Sequence, residues 1–151
     1  MWPFTKKYPP RSEIKLAEAL SFFHGEQHGK PLVARFDAKA SALVGHPEYP
    51  YQVGIAFPLN APAENGLTTD EENAQLHEYE EQLTALLRQD NESLKVGAIT
   101  TNGVKEYVFY TASPDGVKAK FEQFSAGIAS HHPRLKIQED ADWGAYTRFV
   151  K

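Results

Sequence analysis

Tyr51, Val53, Ile55 and Phe57 alternate with Gln52, Gly54 and Ala56, a period of two that predicts a strand with one face on a core, ended by Pro58. The period then changes. Leu76, Tyr79, Leu83, Leu86 and Leu87 recur at helical spacing, with Glu71, Glu78 and Glu81 on the wet side. Thr69 and Glu72 have the spacing of a capping box, so this helix should begin after Thr69 and run to about Gln89. Leu94 to Thr101 and Val104 to Thr111 read as strands joined by Asn102-Gly103, the pair that best tolerates the positive φ angles of a type I′ hairpin. Counted from that turn without a bulge, Ala98 opposes Tyr107 and Val96 opposes Phe109 on the core face. Gly97 then opposes Val108, and Lys95 opposes Tyr110, on the other. Ser113-Pro114 starts a second helix with the stripe Val117, Phe121, Phe124 and Ile128. After Pro133, Leu135, Ile137 and Glu139 alternate with Lys136 and Gln138 as a last strand.

Upstream, Ser21-Phe22-Phe23 and residues 29–36 read as two strands across a glycine-containing turn, and Ser12 as the start of a short helix over residues 12–19. The fold predicted is α+β: a ferredoxin-like βαββαβ two-layer sandwich, its antiparallel sheet carrying two helices on one face, preceded by an N-terminal β-hairpin. Gly54, Ala56, Gly97, Ile99, Val108 and Tyr110 would form the opposite face, to be covered by residues 20–37 or by a partner. Residues 1–11 read as a flexible tail and 12–151 as a single domain, with a long loop at 38–50.

Composition narrows the class. The 151 residues include no cysteine, which fits a cytoplasmic location, and no apolar run long enough for a secretory core or a membrane span. Stable membrane association is not expected. The net charge of −4 concentrates in residues 61–100, where nine acids face Arg88 and Lys95. Direct nucleic-acid binding requires a basic cluster that the sequence lacks.

Candidate chemistry is sparse, and no catalytic residue, cofactor or metal site is expected. Glu139, Asp140 and Asp142 lack the spacing of a calcium loop, and Asp142 reads as a cap for the turn that follows. The six histidines lack zinc-ligand spacing and read as surface residues. Neither a Gly-x-Ser-x-Gly elbow nor a phosphate-binding glycine loop occurs. Glu106, opposite Ile99, would have a raised pKa were that face enclosed. Trp143 and Tyr146, three apart, share a face of a helical turn, as a lid on the core or as an exposed anchor.

The segment Thr101-Asn102-Gly103-Val104-Lys105-Glu106-Tyr107-Val108-Phe109-Tyr110, followed by Asp142-Trp143-x-x-Tyr146, resembles the bacterial domain-of-unknown-function 695 family over approximately residues 20–149. That resemblance implies a fold and no established activity. Asp140-Ala141-Asp142-Trp143-Gly144-Ala145-Tyr146 is also similar in part to the Asp-Gly-Trp-Gly-x-Tyr segment of the regulator of ribonuclease activity B, departing from it at Ala141-Asp142. The second resemblance implies an acidic ferredoxin-like protein that binds and inhibits an endonuclease.

The leading expectation is a non-catalytic protein that regulates or inhibits a protein partner by binding, through Glu71, Glu78 and Glu81 or through Trp143 and Tyr146. The alternative is a small-molecule binder or enzyme, with Arg35, His46 and Glu106 in a pocket between the hairpin, the 38–50 loop and the sheet. A third class is a self-assembling module, a homo-oligomer built through the sheet.

Overall fold

The computed structural model describes residues 8–16 and 19–151. Six strands form one open antiparallel sheet: β1 (Leu20–Gln27), β2 (Lys30–Asp37), β3 (Tyr51–Pro58), β4 (Ser93–Thr101), β5 (Val104–Thr111) and β6 (Arg134–Glu139), in the spatial order β1-β2-β4-β5-β3-β6. Helices α1 (Asp70–Arg88) and α2 (Pro114–Ala126) lie on one face, and the short α3 (Gly144–Thr147) lies beyond β6. No helix among the described residues is long and apolar enough to cross a membrane.

Asn102 and Gly103 take φ angles of 49° and 80°, the left-handed pair a type I′ turn requires, and this fixes the β4–β5 register near the turn. Ala98 therefore opposes Tyr107, and Gly97 opposes Val108. A bulge between Lys95 and Gly97 changes the rest. Lys95 opposes Phe109 and Leu94 opposes Tyr110, so the unbulged register expected beyond Gly97 is corrected. The extra residue turns Lys95 toward α1 and lets Val96 join the core on the opposite face. Tyr107 and Phe109 point toward the helices, packing with Val53, Ile55, Phe57, Leu76, Leu83, Leu87, Val117 and Phe124.

The expected cover of the second face is also corrected. The β1–β2 hairpin does not fold over it; β2 pairs with β4 from Leu32 to Phe36 and extends the sheet sideways, which satisfies backbone groups that stacking would leave open. Residues 38–50 and the C-terminal segment supply the roof instead. Ala40, Leu43, Tyr49, Trp143 and Tyr146 bury Leu94, Val96, Val108 and Tyr110. Gly97 lies tightly against β2. A Cβ there would overlap the Phe36 ring and lie 2.6 Å from the Arg35 carbonyl oxygen. Gly97→Ala should cost about 1–3 kcal/mol, read as a lower urea midpoint at unchanged slope.

Two local expectations change. Arg11–Glu13 is a single 3₁₀ turn with Ile14 extended, in place of a helix from Ser12; residues 17–18 lie outside the described residues. Of the expected tail, residues 1–7 also lie outside the described residues, while the Tyr8 hydroxyl donates to the Val44 carbonyl and the Arg11 N–H to Glu48.

Candidate functional site: a charged groove between the hairpin and the first helix

Because β1 and β2 extend beyond the sheet area that α1 covers, their helix-side residues form a shelf. Two cross-strand rows build its floor: Phe22–Arg35–Ala98–Tyr107 and His24–Val33–Thr100–Lys105. The wall is the flank of α1 bearing Asn73, Ala74, His77, Glu80, Glu81 and Thr84. Between them runs an open groove of about 800 Å³. Its rim carries the two exposed large apolar side chains among the described residues, Leu20 and Phe22, the latter 67% exposed.

Glu80 organises the charge. It occupies a position of the α1 apolar stripe, with Leu76, Leu83 and Leu87, and its carboxylate is almost fully enclosed. One oxygen accepts from Arg35 Nη2 and the other from Lys95 Nζ at 2.5 Å. Burial pushes the Glu80 carboxyl up, but hydrogen bonds and charge from these two cations outweigh it and hold the group below the usual carboxylate range. Lys105 is buried beside them, and its Nζ donates to Asn73 Oδ1 at 2.8 Å. Burial, then repulsion from Arg35, lowers the Lys105 amine to about 8 against the pull of Glu80. The inner groove thus holds three basic side chains around one buried carboxylate. Asp70, Glu78 and Glu81 stand exposed on its outer wall, where Glu81 pairs with His77 at 3.1 Å.

The expected acidic face divides. Glu78 and Glu81 line the groove, and Glu71 is exposed near the start of α1. Trp143 and Tyr146 offer no binding surface and are corrected to core residues: the indole stacks on Tyr110 at 4.0 Å and donates to the Tyr49 carbonyl, and the Tyr146 hydroxyl donates to the Asp37 carbonyl. Arg35, His46 and Glu106 do not share a pocket. Arg35 lies in the groove, and Glu106, opposite Ile99 and Ala56, is on the other sheet face. The Glu106 carboxyl fills the space left by Gly54, and burial raises its pKa against the charge of Lys136. His46 is buried within the 38–50 segment, bonded through Nε2 to the Pro9 carbonyl and accepting the Glu48 N–H at Nδ1.

His131, expected at the surface, is instead buried and paired with Glu72. Thr69 accepts from the Glu72 N–H, but the Glu72 carboxylate completes no capping box. It turns to the Asn60 and Ala61 N–H groups and to His131 Nε2 at 2.7 Å. Burial pushes Glu72 up, and these contacts together bring it below the ordinary value. Asp140, in place of the expected Asp142, accepts from the Gly144 and Ala145 N–H groups and from the Tyr110 hydroxyl. Among the described residues no three His, Cys, Asp or Glu side chains gather in a manner that could hold a metal ion.

The arrangement defines an α+β protein with an open six-stranded antiparallel sheet and a charged groove at its extended edge. Residues 21–150 match the model of a family of unknown function (DUF695), and the chain belongs to that family. No curated protein and no solved structure matches it.

Proposed function

We propose that this protein acts by binding and not by chemistry, regulating a protein partner in the cytoplasm by taking one of the partner's extended segments as a seventh strand along β1. The outer edge of β1, unpaired among the described residues, carries this reading. All eight residues pair in regular register with β2, and among the described residues no backbone group of another segment pairs with residues 21–27 from the outer side. Long, regular edge strands are ordinarily guarded by charge, proline or a bulge. β6, the other edge, is shorter and exposes Arg134, Lys136 and Gln138. β1 has one exposed acid, Glu26, towards its turn end and exposes Phe22 beside a groove that side chains of an added strand would enter.

The order β4-β5-β3-β6, with α1 and α2 on one face, supports reading residues 51–139 as a ferredoxin-like unit to which the hairpin adds a recognition edge. The exposed Glu71, Glu78 and Glu81 would steer a basic partner toward that edge. Self-pairing of β1 would use the same edge, and sedimentation of the purified protein at several concentrations separates the two occupants.

Phe22→Glu tests the reading, because the ring is exposed and its loss leaves the core intact. Proteins retained from native lysate by the wild type should be lost with this variant, and charge reversal at Glu71, Glu78 and Glu81 should slow their association at low salt. Identical capture by wild type and Phe22→Glu removes β1 from the proposal.

A further inference from the structure

Adjoining the groove, and sharing Phe22, Arg35, Asn73 and Lys105 with it, is a pocket of about 210 Å³ whose lining also includes Val33 and Thr100. We propose that it binds a small organic anion, with a carboxylate or phosphate head held between Lys105 and Arg35 and an apolar body lying on Phe22 and Val33. This inference goes beyond the protein-binding reading and stands or falls separately from it.

Three observations carry it. Charge comes first: Arg35, Lys95 and Lys105 are gathered around Glu80, which among the described residues is the only buried carboxylate lining the groove, so the described inner end has an excess of positive charge. The remaining acids of the wall, Asp70, Glu78 and Glu81, are exposed, where solvent screens them. Donor capacity comes second. A lysine ammonium has three donors, and among the described residues the single hydrogen-bond acceptor for Lys105 Nζ is the neutral Asn73 amide oxygen. Arg35 gives Nη2 to Glu80 and has further donors in its planar fork. The third observation is shape. Phe22, Val33 and Ala98 supply an apolar side to the pocket, and Thr68, Thr100 and His24 supply further polar groups. Its volume is below the roughly 300–1,000 Å³ of sites for drug-sized ligands, so the ligand is small.

An anion placed there would offset the repulsion that helps depress the Lys105 amine, so binding should raise its pKa from about 8. By the same linkage, affinity should fall as pH rises through that value and Lys105 loses its proton. The titratable groups lining the groove that contribute to this response are His24 on β1, Arg35 on β2, Lys95 on β4, and Asp70, His77, Glu78, Glu80 and Glu81 on α1.

The experiment follows the lysine side-chain Cε signals by NMR during titration with benzoate, phenyl phosphate, acetate and inorganic phosphate. Benzoate or phenyl phosphate should shift the Lys105 signal saturably and bind at least about tenfold more tightly than its ringless counterpart. Comparison of the two ringed probes identifies the head, carboxylate or phosphate. Lys105→Met should weaken binding at least about tenfold, consistent with loss of a charge-assisted contact. Phe22→Ala, which removes an exposed ring, should erase the advantage of the ringed probes while leaving acetate and phosphate unaffected. Circular dichroism verifies that both variants are folded. The proposal is overturned if no probe moves the Lys105 signal, if folded Lys105→Met binds as well as wild type, or if ringed and ringless probes bind equally.

Discussion

Trp143→Ala should destabilise the protein by about 4 kcal/mol, within the range for emptying a buried aromatic site. The indole is fully enclosed, stacked on Tyr110 with ring planes 4° apart and set edge-on to Tyr146. Its Nε1 donates to the Tyr49 carbonyl at 3.0 Å, so truncation also leaves a buried acceptor without its donor. The backbone gives no compensating relief, since residue 143 has φ of 58° and alanine is as strained there as tryptophan. Urea unfolding followed by far-UV circular dichroism reads the loss. Total stabilities of single domains lie near 5–15 kcal/mol, so the change would consume a large fraction of the whole. A loss below about 1 kcal/mol would show that the packing between the second sheet face and its roof does not depend on this ring.

Glu80→Ala should be nearly as costly, at about 3 kcal/mol. Removing one member of a buried ion pair leaves its partners uncompensated, and here two cations are stranded together. The side chains of Arg35 and Lys95 are 20% and 18% exposed, and this residual hydration places the expected cost at the lower end of the range for buried pairs. The pH response adds a signature. A carboxyl whose folded pKa is lowered contributes stability above its unfolded value, and that contribution disappears as pH falls through the folded pKa. Glu80 and Glu72 both behave this way, so the wild type should lose stability below about pH 4.5. Glu80→Ala should lose less over the same interval. Lys105 has the opposite chemistry: its folded pKa is depressed, so the unfolded chain binds more protons between about pH 8 and 10.5 and this group makes stability rise with pH there. Without Glu80 the amine should titrate lower still, because the Glu80 charge raises its pKa. An unchanged Lys105 titration in the variant would separate the two groups electrostatically.

Much of the framework is legible because its signals are local. Asn102-Gly103 specifies a backbone shape, Thr69 and Ser113 specify helix starts, and alternation over Tyr51–Phe57 specifies a buried face. The bulge at Val96 is illegible because Leu94-Lys95-Val96 alternates acceptably in either register, and only the packing of Lys95 against Glu80 distinguishes them. The groove is illegible for a related reason: Arg35 and Glu80 are 45 positions apart, and Lys95 is another 15 along. One clue was available. Glu80 has the spacing of the apolar stripe, and an acid there requires a partner. The Glu72–His131 pair lacked even that, since its donors come from segments whose path no periodicity describes.

The roof over the second sheet face joins residues far apart in the chain: Trp143 reaches the Tyr49 carbonyl and Tyr146 the Asp37 carbonyl, across 94 and 109 positions. During synthesis the helix-side layer can assemble once β6 has emerged, whereas Leu94, Val96, Val108 and Tyr110 have only the 38–50 part of their roof until the segment from Trp143 onward leaves the ribosome. A premature stop before Trp143 would leave that strip half-roofed for the lifetime of the product, an apolar surface open to other chains.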